Sequence, residues 1–362
     1  MAARVAVLGV GLIGGSIGLA ARGRLGAEVV GHSRSQDTLA RALERGAIDR
    51  AAGSIADACE GADLVFCAAP VGALPDQVGA ALAACGADTV VSDVGSTKGE
   101  LVAARGADDR FIGGHPLAGA ETAGVESARE DLFEGARWYL TPTERSSGLL
   151  YDRLQRFVSD LGARPQAVDP DVHDRLMATV SHMPHVLANA LAAEAAAALT
   201  AATGRLPEVG PSFRDATRVA GSNPEIWGDI FASNRSAVAD SVESVARRLE
   251  DAARLIREGD RVAIVAWQAA AGGDRRRLLD AGDADGPLVE LRVIVANRPG
   301  AVAQLALALG EAGVNIEDMA LYPAPDMTTG AVTLWVAGEE AAARAARFVR
   351  DLGHVATVVG PE

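Results

Sequence analysis

Short β-branched runs alternate with alanine- and leucine-rich stretches over the first 165 residues. The strand-like runs are RVAVLG, AEVVGHS, ADLVFCAA, DTVVSDVG, RFIGGHP and RWYLTP. Alternation of this kind predicts an α/β domain in which helices cover both faces of a mainly parallel sheet. We therefore expect a Rossmann-type domain over residues 1–165.

The pattern changes to long helical stretches between about residues 170 and 280. LMATVSHMPHVLANALAAEAAAAL and NRSAVADSVESVARRLEDAARLIREG carry apolar residues at helical spacing, and no strand-like run interrupts them. An all-α domain is predicted over residues 166–282. Its apolar helices between 175 and 265 would bury best against a second copy, which predicts a homodimer. The glycines, charges and proline of AGGDRRRLLDAGDADGP (271–287) predict a surface linker.

A third pattern occupies residues 287–362. A strand (LVELRVIVA), the loop NRPG and a helix (AVAQLALALGEAG) are followed by two strands (VNIEDMALY and GAVTLWVAG), another helix and a last strand (HVATVVG). This order predicts a βαββαβ module of the ferredoxin-like type.

Composition is that of a well-packed globular protein, with 49% hydrophobic and 23% charged residues. The spacing of Cys59, Cys67 and Cys85 matches neither a disulfide framework nor a metal knuckle, which favours a reducing compartment. The N-terminus lacks a signal-peptide pattern, and Glu194 interrupts the longest alanine-rich stretch (188–202). We expect a cytoplasmic protein without a membrane span.

The charge balance limits the partners. A net charge of −14 argues against nucleic-acid binding, which needs a basic face. An anionic ligand would need a local cluster of arginines or helix N-termini. Of the 34 basic residues only Lys98 is a lysine, which suggests that an ammonium group is required there. Its position at the start of a predicted helix suggests an anionic neighbour.

A glycine-rich turn follows the first predicted strand. Gly9, Gly11 and Gly14 form a G-x-G-x-x-G motif, and a helical stretch comes next. In this context the glycines allow a tight turn, close approach of a pyrophosphate and close helix–strand packing. The motif predicts a dinucleotide site.

The end of the second strand bears on the choice of dinucleotide. Ser33 stands where a carboxylate would bind the adenosine ribose of NAD, and Arg34 follows it. A hydroxyl and a guanidinium suit a 2′-phosphate, which favours NADP. NAD remains possible if Arg34 is only a solvated surface arginine.

Several segments together resemble the prephenate dehydrogenase family. They are GVGLIGGS (9–16), SDVGSTKGE (92–100), GGHPLAGAETAG (113–124), SHMPH (181–185) and FRDATRVAGSNPEIW (213–227). The resemblance implies an NAD(P)-dependent oxidative decarboxylation of prephenate in tyrosine biosynthesis.

The resemblance also implies the catalytic residues. His115 would accept the proton of the ring hydroxyl as hydride leaves for nicotinamide, a role that suits an imidazole. Ser96 would hydrogen-bond His115 and the substrate hydroxyl. Ser96 could at the same time cap the helix STKGELVAA, supported by Glu100.

Prephenate carries two carboxylates, so anion-binding groups are expected. By resemblance, Arg218 binds a substrate carboxylate, with Arg214 one turn earlier and Asp215 steering the guanidinium. Further substrate contacts implied in this way are His185, Ser181, Trp227 near the ring, and Glu121 at the entrance. The expected cofactor contacts are Gly9, Gly11, Leu12, Ile13, Gly14, Ser33, Arg34, Ala69, Pro70, Val71, Asp93 and Lys98.

No metal site is expected. His182 and His185 could both ligate zinc in principle, but Pro184 interrupts the turn between them and no third ligand presents itself.

The loop NRPG and the helix after it resemble the ACT domain, which binds amino acids at domain interfaces. The expected effector contacts are Asn297, Pro299, Gly300 and Asn315, and the expected effector is tyrosine acting by feedback. Asn297 stands where aspartate is usual, so an ammonium group would be held more weakly. The alternative is a module that only forms a dimer.

Three other functions remain open. Arogenate differs from prephenate only in an amino group that replaces the keto oxygen, so an arogenate dehydrogenase is the closest alternative. A 4-amino-prephenate dehydrogenase is more distant. A non-catalytic sensor of NADP and amino acids would be expected to lack the pair of His115 and Ser96, which this sequence has.

Overall fold

The structure is a computed structural model that describes residues 3–119, 124–203, 208–280, 288–296, 298–316, 318–324 and 328–359. It divides into two compact units. Unit 1 combines residues 1–173 with residues 286–362, and unit 2 comprises residues 174–285.

The elements follow in chain order. Those of the first 173 residues are β1 (Arg4–Leu8), α1 (Leu12–Leu25), β2 (Glu28–His32), α2 (Gln36–Glu44), β3 (Arg50–Ala51), α3 (Ile55–Cys59), β4 (Leu64–Cys67), α4 (Leu74–Ala84), β5 (Val90–Asp93), α5 (Gly99–Arg105), β6 (Phe111–Pro116), β7 (Arg137–Thr141), α6 (Gly148–Asp160), β8 (Arg164–Ala167) and the start of α7 (Pro170–Met177). Unit 2 continues with α8 (Met183–Thr203), α9 (Pro211–Thr217), α10 (Pro224–Ser233), α11 (Arg235–Glu258) and α12 (Arg261–Asp280). The C-terminal module contains β9 (Leu288–Ala296), α13 (Ala301–Glu311), β10 (Asp318–Pro323), β11 (Thr329–Ala337), α14 (Glu339–Asp351) and β12 (Val355–Val359).

The large sheet of unit 1 has eight strands in the order β3-β2-β1-β4-β5-β6-β7-β8. Strands β1 to β6 are parallel, whereas β7 runs antiparallel to β6. The strand order reverses at β1, because β2 lies on one side of it and β4 on the other. Such a reversal opens a crevice at the carboxyl ends of the strands, where α/β proteins bind their ligands.

The six strands predicted for the first domain are all present as β1, β2, β4, β5, β6 and β7. Two further strands were not predicted: β3, which is only two residues long, and β8, which contains Pro165. A proline is tolerated here because β8 lies at the edge of the sheet. Apart from these short edge strands, the pattern predicted the sheet correctly.

The C-terminal module has the predicted βαββαβ order and forms a four-stranded antiparallel sheet, β10-β11-β9-β12. It packs closely on the large domain within unit 1. Gly300, at a φ of +80°, donates its N–H to the Ser146 carbonyl at 3.0 Å, and a Cβ there would lie 1.9 Å from the Glu144 carbonyl oxygen. One hydrophobic core continues from Leu154 of α6 to Leu305 of α13.

Unit 2 is helical throughout its described residues, as predicted. The predicted linker is wrong in its first part, because α12 extends to Asp280. Arg277 pairs with Asp274 at 2.6 Å across one turn, and the two glycines cost only about 1 kcal/mol each in a helix. Residues 281–287 lie outside the described ranges.

A π-helical turn at Ala178–His182 precedes α8. Pro184 explains it, since proline has no N–H to donate one turn back and its ring disfavours a regular helix there.

Candidate active site and cofactor cavity

The glycine-rich turn sits between β1 and α1 with the geometry that a dinucleotide site needs. Gly9 has a φ of +101°, and a Cβ there would lie 2.5 Å from the Ala68 carbonyl oxygen. A Cβ on Gly14 would lie 2.1 Å from the Gly9 carbonyl oxygen, so this glycine lets α1 pack against the turn. Gly11 faces open space. The turn therefore leaves room for a ligand at the N-terminus of α1.

A cavity of about 580 Å³ lies along this edge of the sheet. Its lining consists of Gly9, Val10, Gly11, His32, Ser33, Arg34, Thr38, Ile55, Ala68, Ala69, Pro70, Ala73, Asp76, Gln77, Ala80 and Gly124. Six of the twelve expected cofactor contacts are among them, namely Gly9, Gly11, Ser33, Arg34, Ala69 and Pro70. His32, Thr38 and Gln77 were missed, because nothing in the sequence alone marks them.

The other six expected contacts do not line this cavity. Leu12 and Ile13 pack against the core, although their backbone N–H groups lie in the first turn of α1. Gly14 supports the turn, and Val71 follows Pro70 in a short 3₁₀ turn. The remaining two, Asp93 and Lys98, are fully buried.

The cavity fits a nicotinamide dinucleotide in two respects besides its glycines. The Oε1 atom of Gln77 is buried and accepts no hydrogen bond from the described residues. An orphaned acceptor in a cavity wall is suited to a ligand donor such as a base amino group. At the other end, Ser33 and Arg34 lie together, and the exposed guanidinium of Arg34 forms no ion pair with any described carboxylate.

Asp93 and Lys98 form a buried ion pair at the end of β5. Both side chains are 0% exposed. The Asp93 carboxylate accepts three hydrogen bonds. The donors are the Lys98 ammonium, the Gly95 N–H at 2.8 Å and the Gly114 N–H at 3.1 Å. The anionic neighbour expected for Lys98 is thus Asp93. Neither residue is in the lining of the cavity, so their contact with the cofactor stays a prediction. The bonds of Asp93 to Lys98 and Gly114 join the ends of β5 and β6.

Ser96 and His115 lie at the ends of these neighbouring strands, Ser96 just after β5 and His115 within β6. Both are partly exposed. The capping interpretation of Ser96 is wrong, because α5 begins at Gly99 and no side chain caps it. No hydrogen bond joins Ser96 to His115 among the described residues, so that contact stays a prediction.

A second histidine, missed by the sequence analysis, contacts His115. The Nδ1 atom of His115 lies 2.9 Å from Nε2 of His173. His173 is fully buried, and its ring meets that of Tyr139 edge-on at 5.6 Å. Residue 173 is 58 positions away along the chain and belongs to none of the motifs, so only the fold could show this contact.

In unit 2, the imidazole of His185 contacts three residues. Its Nδ1 donates to the Ser181 carbonyl at 3.1 Å, its Nε2 lies 3.5 Å from the Ser222 hydroxyl, and its ring stacks on Trp227 at 3.3 Å. Burial lowers the pKa of His185, the bond to Ser181 opposes this effect, and the charge of Arg218 lowers the pKa further. Ser181, His185 and Trp227 are therefore together, as expected, with Arg218 close enough to act on the imidazole.

The expected arginines occupy an exposed segment of unit 2. Arg214 and Asp215 lie on α9, and Arg218 begins the 3₁₀ turn that follows this helix. All three are exposed. Glu121 lies outside the described residues, so its expected role stays a prediction.

A second cavity, of about 160 Å³, lies between the large domain and the C-terminal module within unit 1. It is lined by Asp109, Ser147, Gly148, Leu149, Val295, Ala296, Arg298, Pro299, Val302, Leu321 and Gly330. Of the expected effector contacts, Pro299 lines it and Gly300 is adjacent. Asn315 is not in the lining, and Asn297 lies outside the described residues.

The described residues contain no group of three or more histidine, cysteine, aspartate or glutamate side chains that could hold a metal ion. Within the same ranges, every helix is too short or too polar to cross a bilayer.

The fold and the glycine-lined cavity are those of a dinucleotide-binding protein, and comparison with known proteins narrows this class. Residues 17–166 match the family model "Prephenate dehydrogenase, nucleotide-binding domain", and residues 169–269 match "Prephenate dehydrogenase, dimerization domain". The prephenate dehydrogenase of Bacillus subtilis is 29% identical over 87% of this chain and 87% of its own.

Solved structures agree. Prephenate dehydrogenase from A. aeolicus, in complex with hydroxyphenyl propionate and NAD⁺, is 30% identical with a TM-score of 0.72, over 76% of this chain and 98% of its own. Arogenate dehydrogenase from Synechocystis is 28% identical with a TM-score of 0.67, over 76% of this chain and 99% of its own. The chain belongs to the prephenate dehydrogenase family, whose members are oxidoreductases that use a nicotinamide cofactor.

Proposed function

We propose that this protein catalyses the NAD(P)-dependent oxidative decarboxylation of prephenate to 4-hydroxyphenylpyruvate, a step towards tyrosine. One observation carries the proposal. The cofactor cavity, Ser96 and His115 follow one another along the carboxyl ends of β1, β4, β5 and β6 in a chain of this family. A histidine beside a dinucleotide cavity can accept a proton while hydride leaves the same substrate.

The reaction requires only a base and a group that orients the substrate hydroxyl. A bound nicotinamide would supply the acceptor for the hydride that leaves the ring carbon bearing the hydroxyl. His115 takes the hydroxyl proton through Nε2, and Ser96 holds the hydroxyl in line. Loss of the carboxylate as CO₂ makes the ring aromatic, so neither a metal nor a covalent nucleophile is needed. A positioned base contributes about 10²–10⁴-fold to such a rate.

Residues of unit 2 would hold the substrate. We assign the pyruvyl carboxylate to Arg218 and Arg214, with Asp215 orienting the guanidinium, and assign His185, Ser181 and Trp227 to the rest of the substrate. The lowered pKa of His185 supports a neutral imidazole there before an anion binds. A charge-assisted contact of this kind is worth about 1.5–3 kcal/mol.

The proposed cofactor is NADP. Ser33 and the exposed guanidinium of Arg34 suit a 2′-phosphate, while the N–H groups of Leu12 and Ile13 at the N-terminus of α1 suit the pyrophosphate. NAD remains the alternative, since the A. aeolicus relative binds NAD⁺.

We also propose that the C-terminal module is an ACT domain through which tyrosine inhibits the enzyme. The small cavity beside Pro299 offers a guanidinium in Arg298 and a carboxylate in Asp109, a pair that suits the two charges of an amino acid. Apolar residues on α11 and α12 remain exposed, among them Leu249, Ile256 and Val262, and we expect a second copy to cover them in a homodimer.

The test is an assay of absorbance at 340 nm with prephenate or arogenate, each with NAD⁺ and NADP⁺. We expect turnover with prephenate and NADP⁺. An absence of turnover in all four combinations would refute the dehydrogenase and leave the sensor. The substitution Arg218→Ala should raise KM for prephenate and leave KM for the nucleotide unchanged.

Arogenate is the second candidate substrate, because the Synechocystis arogenate dehydrogenase is nearly as similar as the prephenate enzyme from A. aeolicus. An amino group in place of the keto oxygen would favour a carboxylate near the side chain of the substrate. The arogenate wells of the same assay decide between the two.

A further inference from the structure

The contact between His115 and His173 links the protonation of Nδ1 of His115 to that of Nε2 of His173. Two imidazole nitrogens at 2.9 Å share one proton, so one ring donates and the other accepts. Neutral imidazole carries a single N–H. If Nε2 of His115 is the atom that accepts the substrate proton, the imidazole's own proton lies on Nδ1, and Nε2 of His173 must accept it.

The surroundings of His173 hold its ring in place. The side chain is 0% exposed, and its ring meets His115 at 73° and Tyr139 at 82°. Tyr139 is the partner of His115 across β6 and β7, so two neighbouring strands and the start of α7 bring the three rings together. Burial raises the pKa of Tyr139, with Arg137 opposing it, so the phenol stays uncharged beside the histidines.

We propose that His173 is a positioning residue for His115, because its Nε2 accepts the Nδ1–H of His115 and so leaves Nε2 of His115 as the basic atom. The proposal rests on the proposed role of His115 as base. The same bond persists after proton transfer, when the imidazolium donates from Nδ1 and the hydrogen bond becomes charge-assisted. His173 thus has the role that a carboxylate has in a catalytic triad, but without a charge.

Two substitutions separate an acceptor role from simple packing. In His173→Gln the side-chain amide oxygen can take the place of Nε2, whereas His173→Leu fills the space without an acceptor. We expect His173→Leu to lower kcat by about 10–100-fold, as loss of an orienting partner does at comparable sites. KM for prephenate should stay within about threefold, since the substrate does not touch residue 173. His173→Gln should recover most of kcat, and His354→Gln, a substitution in the C-terminal module, is the matched control.

A second readout does not depend on turnover. The chain has only six histidines, so two-bond ¹H–¹⁵N spectra of protein labelled at histidine can be assigned with single variants. We expect His115 as the Nδ1–H tautomer in the wild type and in His173→Gln, and a shift towards Nε2–H in His173→Leu.

Equal loss of kcat in the Gln and Leu variants, or an Nε2–H tautomer of His115 in the wild type, would overturn the proposal. Failure of the proposed function looks different, since the wild type would then show the Nδ1–H tautomer but turn over neither prephenate nor arogenate.

Discussion

The buried pair of Lys98 and Asp93 should be the most sensitive point of the nucleotide-binding part. Both side chains are 0% exposed, so replacing Lys98 by Met leaves a carboxylate without its counter-charge away from water. Removing one partner of a buried pair costs about 3–5 kcal/mol. Two backbone donors, Gly95 and Gly114, still reach Asp93 and keep the cost from rising further.

Urea unfolding at fixed protein concentration, followed by circular dichroism, measures this loss. Arg254→Met is the matched control, because Arg254 pairs with Asp251 at 2.6 Å while both side chains are about two-thirds exposed. An exposed pair contributes only about 0–1 kcal/mol. The double variant Asp93→Asn/Lys98→Met should be less destabilised than the sum of its single variants, because no buried charge remains.

Two results would refute this reasoning. The free energy of unfolding of Lys98→Met could lie within about 1 kcal/mol of the wild-type value, which is the loss expected of an exposed pair. Alternatively, the single-variant losses could add in the double variant, which would mean that the two charges do not interact.

Four further predictions concern the proposed sites. His115→Asn should lower kcat by about 10²–10⁴-fold while NADPH still binds, as measured by fluorescence titration; unchanged turnover would exclude His115 as base. Arg34→Ala should lower kcat/KM for NADP⁺ by about 10–100-fold, because one charge-assisted contact is lost, and should leave kcat/KM for NAD⁺ unchanged. Equal losses of kcat/KM for both nucleotides would argue against recognition of the 2′-phosphate. Arg298→Ala should weaken inhibition by tyrosine without changing uninhibited kcat, and unaltered inhibition would place the effector elsewhere. The pKa of His185 is lowered in the folded protein, so on acidification the unfolded chain protonates this histidine first. The contribution of the neutral imidazole to folding stability is therefore complete above the ordinary pKa of 6.5 and falls as the pH drops towards the folded-state pKa. Melting temperatures of the wild type and His185→Asn between pH 5 and 8 should therefore converge at low pH, and parallel curves would contradict this.

The sequence predicted most of the sheet because its strands are buried on both faces and read as continuous apolar runs. The errors occurred where local propensity decides little. Ser96 resembles a helix cap in sequence, but the helix starts three residues later, at Gly99. The predicted linker has the glycines of a loop, yet its first ten residues continue α12.

For the site, sequence motifs were informative only where the backbone itself makes the contact. The glycines of the turn are recognisable because their spacing is a geometric requirement. Gln77 and His173 contribute single side chains from elements that carry no motif, and their positions follow from packing across the sheet and its helices. Neither residue could have been selected from the sequence.

The shared core of α6 and α13 has a consequence for shortening the chain. A truncation before β9 would uncover the leucines of α6 that now pack on α13, together with the backbone that Gly300 contacts at Ser146. The shortened protein should aggregate rather than behave as an enzyme freed from regulation. A test that separates the proposed regulation from catalysis therefore calls for point substitutions between α6 and α13, with the C-terminal module left in place.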